Sequence, residues 1–156
     1  MLSRDAIVAE IPRLRRYARA LAGDAQRADD LVQDTLERAL AKWSLLQPGR
    51  ALRPWLFSIM HNLYADGMRA GRRLEFRPDH ELPVQSVVQR DGLELRDVDR
   101  ALALLPVEQR EVVLLIALED LSYADAARAL GIPTGTVMSR LSRGRERLRE
   151  LLAGDA

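Results

Sequence analysis

The chain has 156 residues, enough for one ordinary domain or two small ones. It contains no cysteine, which excludes disulfides, thiolate metal sites and cysteine catalysis and fits a reducing compartment. Formal net charge is only +1, so any affinity for nucleic acid must come from where charge sits rather than from its total.

Lys42 is the single lysine; nearly all the basic charge is arginine, which suits forked contacts to phosphate or guanine. No apolar run approaches the ~20 residues that span a bilayer. The opening MLSRDAIVAEIPRLRR is too interrupted by charge for a secretory signal. A soluble, cytoplasmic protein is expected. Aromatics are scarce, strand-like alternation is nearly absent, and four or more segments repeat with helical period, so the expected class is all-α.

The clearest helix is predicted from Asp24 to Trp43. Ala28, Leu31, Val32, Thr35, Leu36, Ala39, Leu40 and Trp43 recur at helical spacing and define a buried face. Opposite stand Asp30, Gln33, Asp34 and Glu37, an acid and amide ridge. Such a ridge is either a plain solvated face or a dock for a basic protein helix; a DNA phosphate is a poor partner for it.

Ser44 to Leu52 follows as a loop with Pro48-Gly49 and two exposed-looking leucines, Leu45 and Leu46. It either receives an unstacked base or tucks its leucines into the core. The next helix starts at Pro54, at home in a first turn, and runs to about Arg73. Its apolar arc takes in Trp55, Leu56, Ile59, Met60, Leu63, Tyr64 and Gly67. Ser58, His61, Asn62, Ala65, Arg69 and Arg72 line the other side, a polar stripe with a basic end. Trp43 and Trp55 read mainly as core anchors.

From Leu74 to Gly92 the pattern lapses around Pro78 and Pro83, as in a linker between two helical domains. The expected architecture is therefore two small helical domains joined by a flexible linker: residues 1–73, a linker at 74–92, and residues 93–156.

The segment Leu121 to Arg149 carries the sharpest signal. Ser122 with Asp125 is a capping pattern, and Ala126, Ala127 and Leu130 give a narrow apolar face. Gly131-Ile132-Pro133 stops that helix, and Thr134 is the expected cap of the next. This is the helix-turn-helix layout, whose second helix enters the DNA major groove. Val137, Leu141, Gly144, Leu148 and Leu151 form one stripe of that second helix. Ser139, Ser142 and Arg143 lie opposite, with Met138 at the edge and Arg140, Arg147, Arg145 and Arg149 along the margins. Short polar groups between arginines suit base edges at the centre and phosphates at the rims. An arginine-rich solvated helix is the alternative, but Glu146 is the only acid between Thr134 and Arg149.

Together these segments closely resemble the extracytoplasmic-function (ECF) sigma factors of bacterial RNA polymerase. ADDLVQDTLERAL (Ala28 to Leu40) is similar to the family's polymerase-binding helix. LRPWLFSIMHNLYADGMRAGRR (Leu52 to Arg73) is similar to its −10-element helix, and Leu105 to Arg149 to its −35-element domain. The resemblance covers nearly the whole chain, in order.

The resemblance implies that Asp30, Gln33, Asp34 and Glu37 face the coiled coil of the polymerase's largest subunit, with the polymerase flap as a further partner. It implies that Leu46, Gln47, Ser58, Asn62, Arg69, Arg72 and Arg73 serve the −10 element. Here the loop takes a flipped base, Asn62 lies near the melted strand, and the arginines hold upstream phosphates. It implies that Met138, Ser139, Ser142 and Arg143 read the −35 element, while Thr136, Arg140 and Arg145 hold its backbone. Promoter DNA and an anti-sigma factor are the other implied partners, with no metal, cofactor or membrane insertion. Met138 and Ser142 depart from the basic and larger residues many members carry, and Leu46 stands where a phenylalanine is common.

Two other readings compete: a sigma-like decoy that titrates an anti-sigma factor, and a stand-alone helix-turn-helix regulator. The second leaves Ala28 to Arg73 without a purpose. An enzyme is the least supported, because His61 and His80 have no obvious carboxylate pairing and no nucleophile or phosphate-loop motif appears.

Overall fold

The computed structural model describes residues 4–46, 51–74 and 93–154, with the side chains at 72–74 and 93–96 outside that description. The expected linker at 74–92 lies almost wholly outside the described residues. Among them the chain is helical throughout, without strands.

The N-terminal half is built from α1 (Arg4–Ala22), α2 (Ala25–Ala41) and α3 (Leu52–Leu74), with a 3-10 turn at Trp43–Leu45 after α2. Asp24 caps α2 by accepting a hydrogen bond from the Gln26 amide at 3.1 Å. The buried line of α2 is Ala28, Val32, Thr35 and Ala39. Thr35 is admitted because its hydroxyl donates to the Leu31 carbonyl at 2.7 Å. This line of small side chains makes a narrow contact. Leu40, expected in it, lies outside and is 49% exposed.

Helix α3 packs on both α2 and the C-terminal half. Leu56, Ile59 and Met60 are buried as expected, but so is Phe57, whose ring meets Tyr17 of α1 edge-on at 4.9 Å and 64°. Gly67, expected in the apolar arc, is exposed. The start of α3 is pinned to α1 by Arg53, which donates to Glu10 at 2.6 and 3.1 Å. Trp43 and Trp55 pack together with ring centroids 6.3 Å apart, both half-buried.

The C-terminal half comprises α4 (Leu93–Leu104), α5 (Val107–Val113), a π-helical turn at Leu114–Leu118, α6 (Tyr123–Leu130) and α7 (Thr134–Ala153). Ser122 caps α6 as its sequence requires, accepting from the Asp125 amide at 3.0 Å. Gly131 then adopts the left-handed conformation at φ 67°, which costs glycine nothing. The cap of α7 is Pro133, not Thr134, and it makes no side-chain cap bond. Proline fixes its own φ near the value a helix entrance needs, so the helix begins one residue early. Helices α5 and α7 approach so closely at Gly144 that a Cβ there would meet Val113 Cγ2 at 2.7 Å.

The sequence leaves open whether the halves stay apart. In the structure they share one hydrophobic core, with α6 against α3 and the π turn against α1.

Candidate nucleic-acid interface

Helix α7 presents its two faces cleanly. Val137, Leu141 and Gly144 are buried, and Leu148 and Leu151 are half-buried against the domain. Ser139, Ser142, Arg143 and Arg145 are exposed, Met138 is 51% exposed, and Thr136 and Arg140 are half-buried at the margin. Charge divides along the helix. Near the C-terminus Arg149 pairs with Glu146 at 2.9 Å and Arg147 with Glu150 at 3.5 Å. Among the described residues Arg140, Arg143 and Arg145 have no carboxylate within 4 Å. The guanidinium groups nearest the helix-turn-helix corner are therefore the ones left for an external anion.

On α2 all four residues of the ridge, Asp30, Gln33, Asp34 and Glu37, are exposed. Asp30 accepts only a long bond from Gln26 at 3.4 Å, and no described cation lies within 4 Å of Asp34 or Glu37. This acid is not neutralised within the half that carries it.

The polar stripe of α3 is less open. Asn62 and Arg69 are exposed, Arg69 paired with Asp66 one turn back. Ser58 is half-buried and donates to the Trp55 carbonyl at 2.8 Å. Side chains at Arg72 and Arg73 lie outside the described residues, as does Gln47. In the preceding loop Leu45 is 68% exposed while Leu46 is half-buried, so Leu45 is the more available apolar side chain.

The expectation that His61 lacks a carboxylate partner is overturned. Its Nδ1 lies 2.6 Å from Oε2 of Glu111, a buried carboxylate of α5. The two are 50 residues apart, a pairing that spacing along the chain does not reveal.

Sequence reading also misses the rest of this seam. Arg16 forks onto Glu119 at 3.2 and 3.0 Å, and Arg13 approaches the same carboxylate at 3.5 Å. Bonding to Glu119 raises the already high pKa of Arg16. Arg110 donates to the carbonyls of Leu102, Ala103 and Leu105 at the end of α4, and to Leu21 of α1 at 3.0 Å. Burial, reinforced by Glu111, pushes the Tyr17 phenol well above its ordinary range. One signal was available: Glu111 and Glu119 bracket the unbroken apolar run VVLLIAL, where a carboxylate is drawn into the core and needs a partner.

The described residues hold no group of three or more metal-ligating side chains, and no described helix is long and apolar enough to cross a membrane.

Comparison with known proteins divides at the same place as the fold. Residues 7–61 match the family described as the sigma2 domain of PhyR, and residues 95–148 match sigma-70, region 4. The ECF RNA polymerase sigma factor EcfG of Rhodopseudomonas palustris is 42% identical over 97% of this chain and 86% of its own length. The sigma factor RpoE of Bartonella quintana, solved with the anti-sigma factor NepR, is 37% identical with a TM-score of 0.84, covering 98% of both chains. PhyR, an anti-anti-sigma factor in its own Bartonella quintana complex with NepR, shares the fold. A chain of the PhyRSL–NepR complex from Sphingomonas sp. Fr1 is 26% identical, with a TM-score of 0.71 over 96% of this chain and 88% of that one. Identity at this level over nearly the full length settles the family: the chain belongs to the ECF RNA polymerase sigma factors.

Proposed function

We propose that this chain is an alternative sigma factor that binds core RNA polymerase, directs it to promoters and catalyses nothing itself. Residues 1–73 act as region 2, 74–92 as the linker and 93–156 as region 4. The ridge Asp30, Gln33, Asp34 and Glu37 docks on the coiled coil of the polymerase's largest subunit, and the C-terminal half meets the flap. Leu46, Gln47, Ser58, Asn62, Arg69, Arg72 and Arg73 serve the −10 element. Met138, Ser139, Ser142 and Arg143 read the −35 element, with Thr136, Arg140 and Arg145 on its backbone. An anti-sigma factor binds the same chain, a partner supported by the NepR-bound relatives. The site of action is the cytoplasm, where polymerase works.

The observation that carries this reading is the charge division on α7. Arginines stand unpaired beside the exposed serines and are paired only toward the far end. A solvated helix has no reason to leave that one cluster without counter-charge. Polymerase then supplies what two small reading heads lack: it fixes their separation and raises the effective concentration at the second element.

Run-off transcription from a promoter library, with purified core polymerase and the full chain, tests the proposal. Promoter-dependent transcripts are expected. Charge reversal at Asp34 and Glu37 is expected to abolish them together with co-purification of core polymerase. A complete absence of transcripts with the unaltered chain would favour the decoy, the reading to which the PhyR-type match over residues 7–61 lends weight.

A further inference from the structure

The first turn of α5 carries a hydrogen-bond acceptor with nothing to accept. Among the described residues, Gln109 Oε1 is the one wholly inaccessible side-chain oxygen or nitrogen without a hydrogen-bond partner. Its place in the helix explains the loss. Pro106 is the cap residue of α5 and makes no side-chain cap bond, so Gln109 stands at the third helical position. A glutamine there ordinarily reaches back to accept from the backbone N–H of the cap residue. Proline has no N–H, and the carboxamide loses that partner. An empty buried acceptor costs free energy, so a donor from elsewhere is called for.

The surroundings narrow the donor. The stem of Gln109 packs under α7 at Gly144, where an added Cβ would lie 3.5 Å from Gln109 Cβ and from its carbonyl oxygen. Gln109 lines an open groove whose α7 wall is Ser142, Arg143, Glu146, Arg147 and Glu150. Glu146 and Glu150 are acceptors, and each already holds an arginine, Arg149 at 2.9 Å and Arg147 at 3.5 Å. Ser142 and Arg143 remain. The serine has a single O–H, which a base edge would forfeit if Gln109 took it. Arg143 is exposed and has no carboxylate within 4 Å among the described residues. Its guanidinium carries five N–H donors, so it can give one to Gln109 and keep a fork for a guanine edge. A charged donor also makes the stronger bond.

We propose that Gln109 is a positioning residue for −35 recognition: its buried carbonyl oxygen takes one N–H of Arg143 when α7 enters the major groove. The second anchor fixes the plane of the guanidinium over one base pair, which a long exposed side chain cannot do alone without a cost in entropy. Gln109 itself touches no DNA. This inference rests on the sigma-factor reading above and on Arg143 being one of its readers.

Binding of the holoenzyme, assembled with the full chain, to a promoter library varied at every −35 base tests it. Gln109→Met keeps the length of the side chain and removes the acceptor. Preference at the base pair that Arg143→Ala relaxes should fall on the order of fivefold, and the other positions should hold. The thermal midpoint of the free chain should stay or rise, because no acceptor is left empty. Gln109→Glu, which still accepts, should keep the preference. R143A/Q109M should discriminate no worse than R143A alone, whereas S142A/Q109M should lose both contributions. Unchanged preference in Q109M, a further loss in R143A/Q109M, or a Q109E as relaxed as Q109M would each overturn the proposal. So would a lowered midpoint with base preference intact, which is the mark of a packing role. A parent holoenzyme without promoter preference would overturn the sigma-factor reading and this inference together; a discriminating parent with an unchanged Q109M overturns this inference alone.

Discussion

Helices α7 and α3 are both proposed to read DNA, yet they are held in the fold differently. Helix α7 buries one stripe and leaves the opposite face bare, so Arg140, Arg143 and Arg145, which have no carboxylate partner among the described residues, answer only to an external one. Helix α3 is enclosed on more than one side: Phe57 faces α1, Leu56 and Met60 are buried, and His61 is held by Glu111 of the other half. A bare face can change its residues at little cost to folding. A face shared with the core cannot, because each substitution is also a packing change.

Substitutions should separate the two helices by what they alter. The largest effect is expected at Phe57→Ala, about 3–5 kcal/mol of folding stability by denaturant titration. A loss below ~1 kcal/mol would mean that α3 is not enclosed on its α1 side. Arg143→Ala should leave stability within roughly 0.5 kcal/mol. It should instead weaken holoenzyme binding to its −35 element by about 1–3 kcal/mol. An equal loss on every promoter sequence would mark Arg143 as a phosphate contact rather than a reader.

Gly144→Ala lies between these, since it alters the buried side of the bare helix. The added Cβ forces the stiff Val113 side chain to move, and the gain in helix propensity offsets only part of the strain. A net loss of about 1–2 kcal/mol follows. Combined with Val113→Ala, it should cost no more than Val113→Ala alone; an additive loss would place the strain elsewhere. The smallest effect is expected at Arg149→Ala, whose exposed pair with Glu146 is worth less than ~0.5 kcal/mol in thermal unfolding.

How much the sequence revealed follows the same division. The exposed face of α7 was legible because a helix with one buried stripe obeys a single period, and every residue expected on that face is exposed or marginal. The turn at Gly131 and the Ser122 cap were legible because they are local chemistry. The enclosure of α3 was not, since Phe57 and His61 answer to α1 and α5 rather than to their own helix. Arg16 and Glu119 are 103 residues apart, and nothing in either segment names the other. In the loop after α2 the sequence gives two leucines without ranking them; packing half-buries Leu46 and leaves Leu45 out.

The central claim is that two reading heads work only when polymerase sets them apart. Gel-shift titration of one cognate promoter fragment with the full chain, alone and with core polymerase, tests it most directly. Feeble binding alone and tight binding by the holoenzyme are expected. Equal affinity with and without core polymerase would contradict the account.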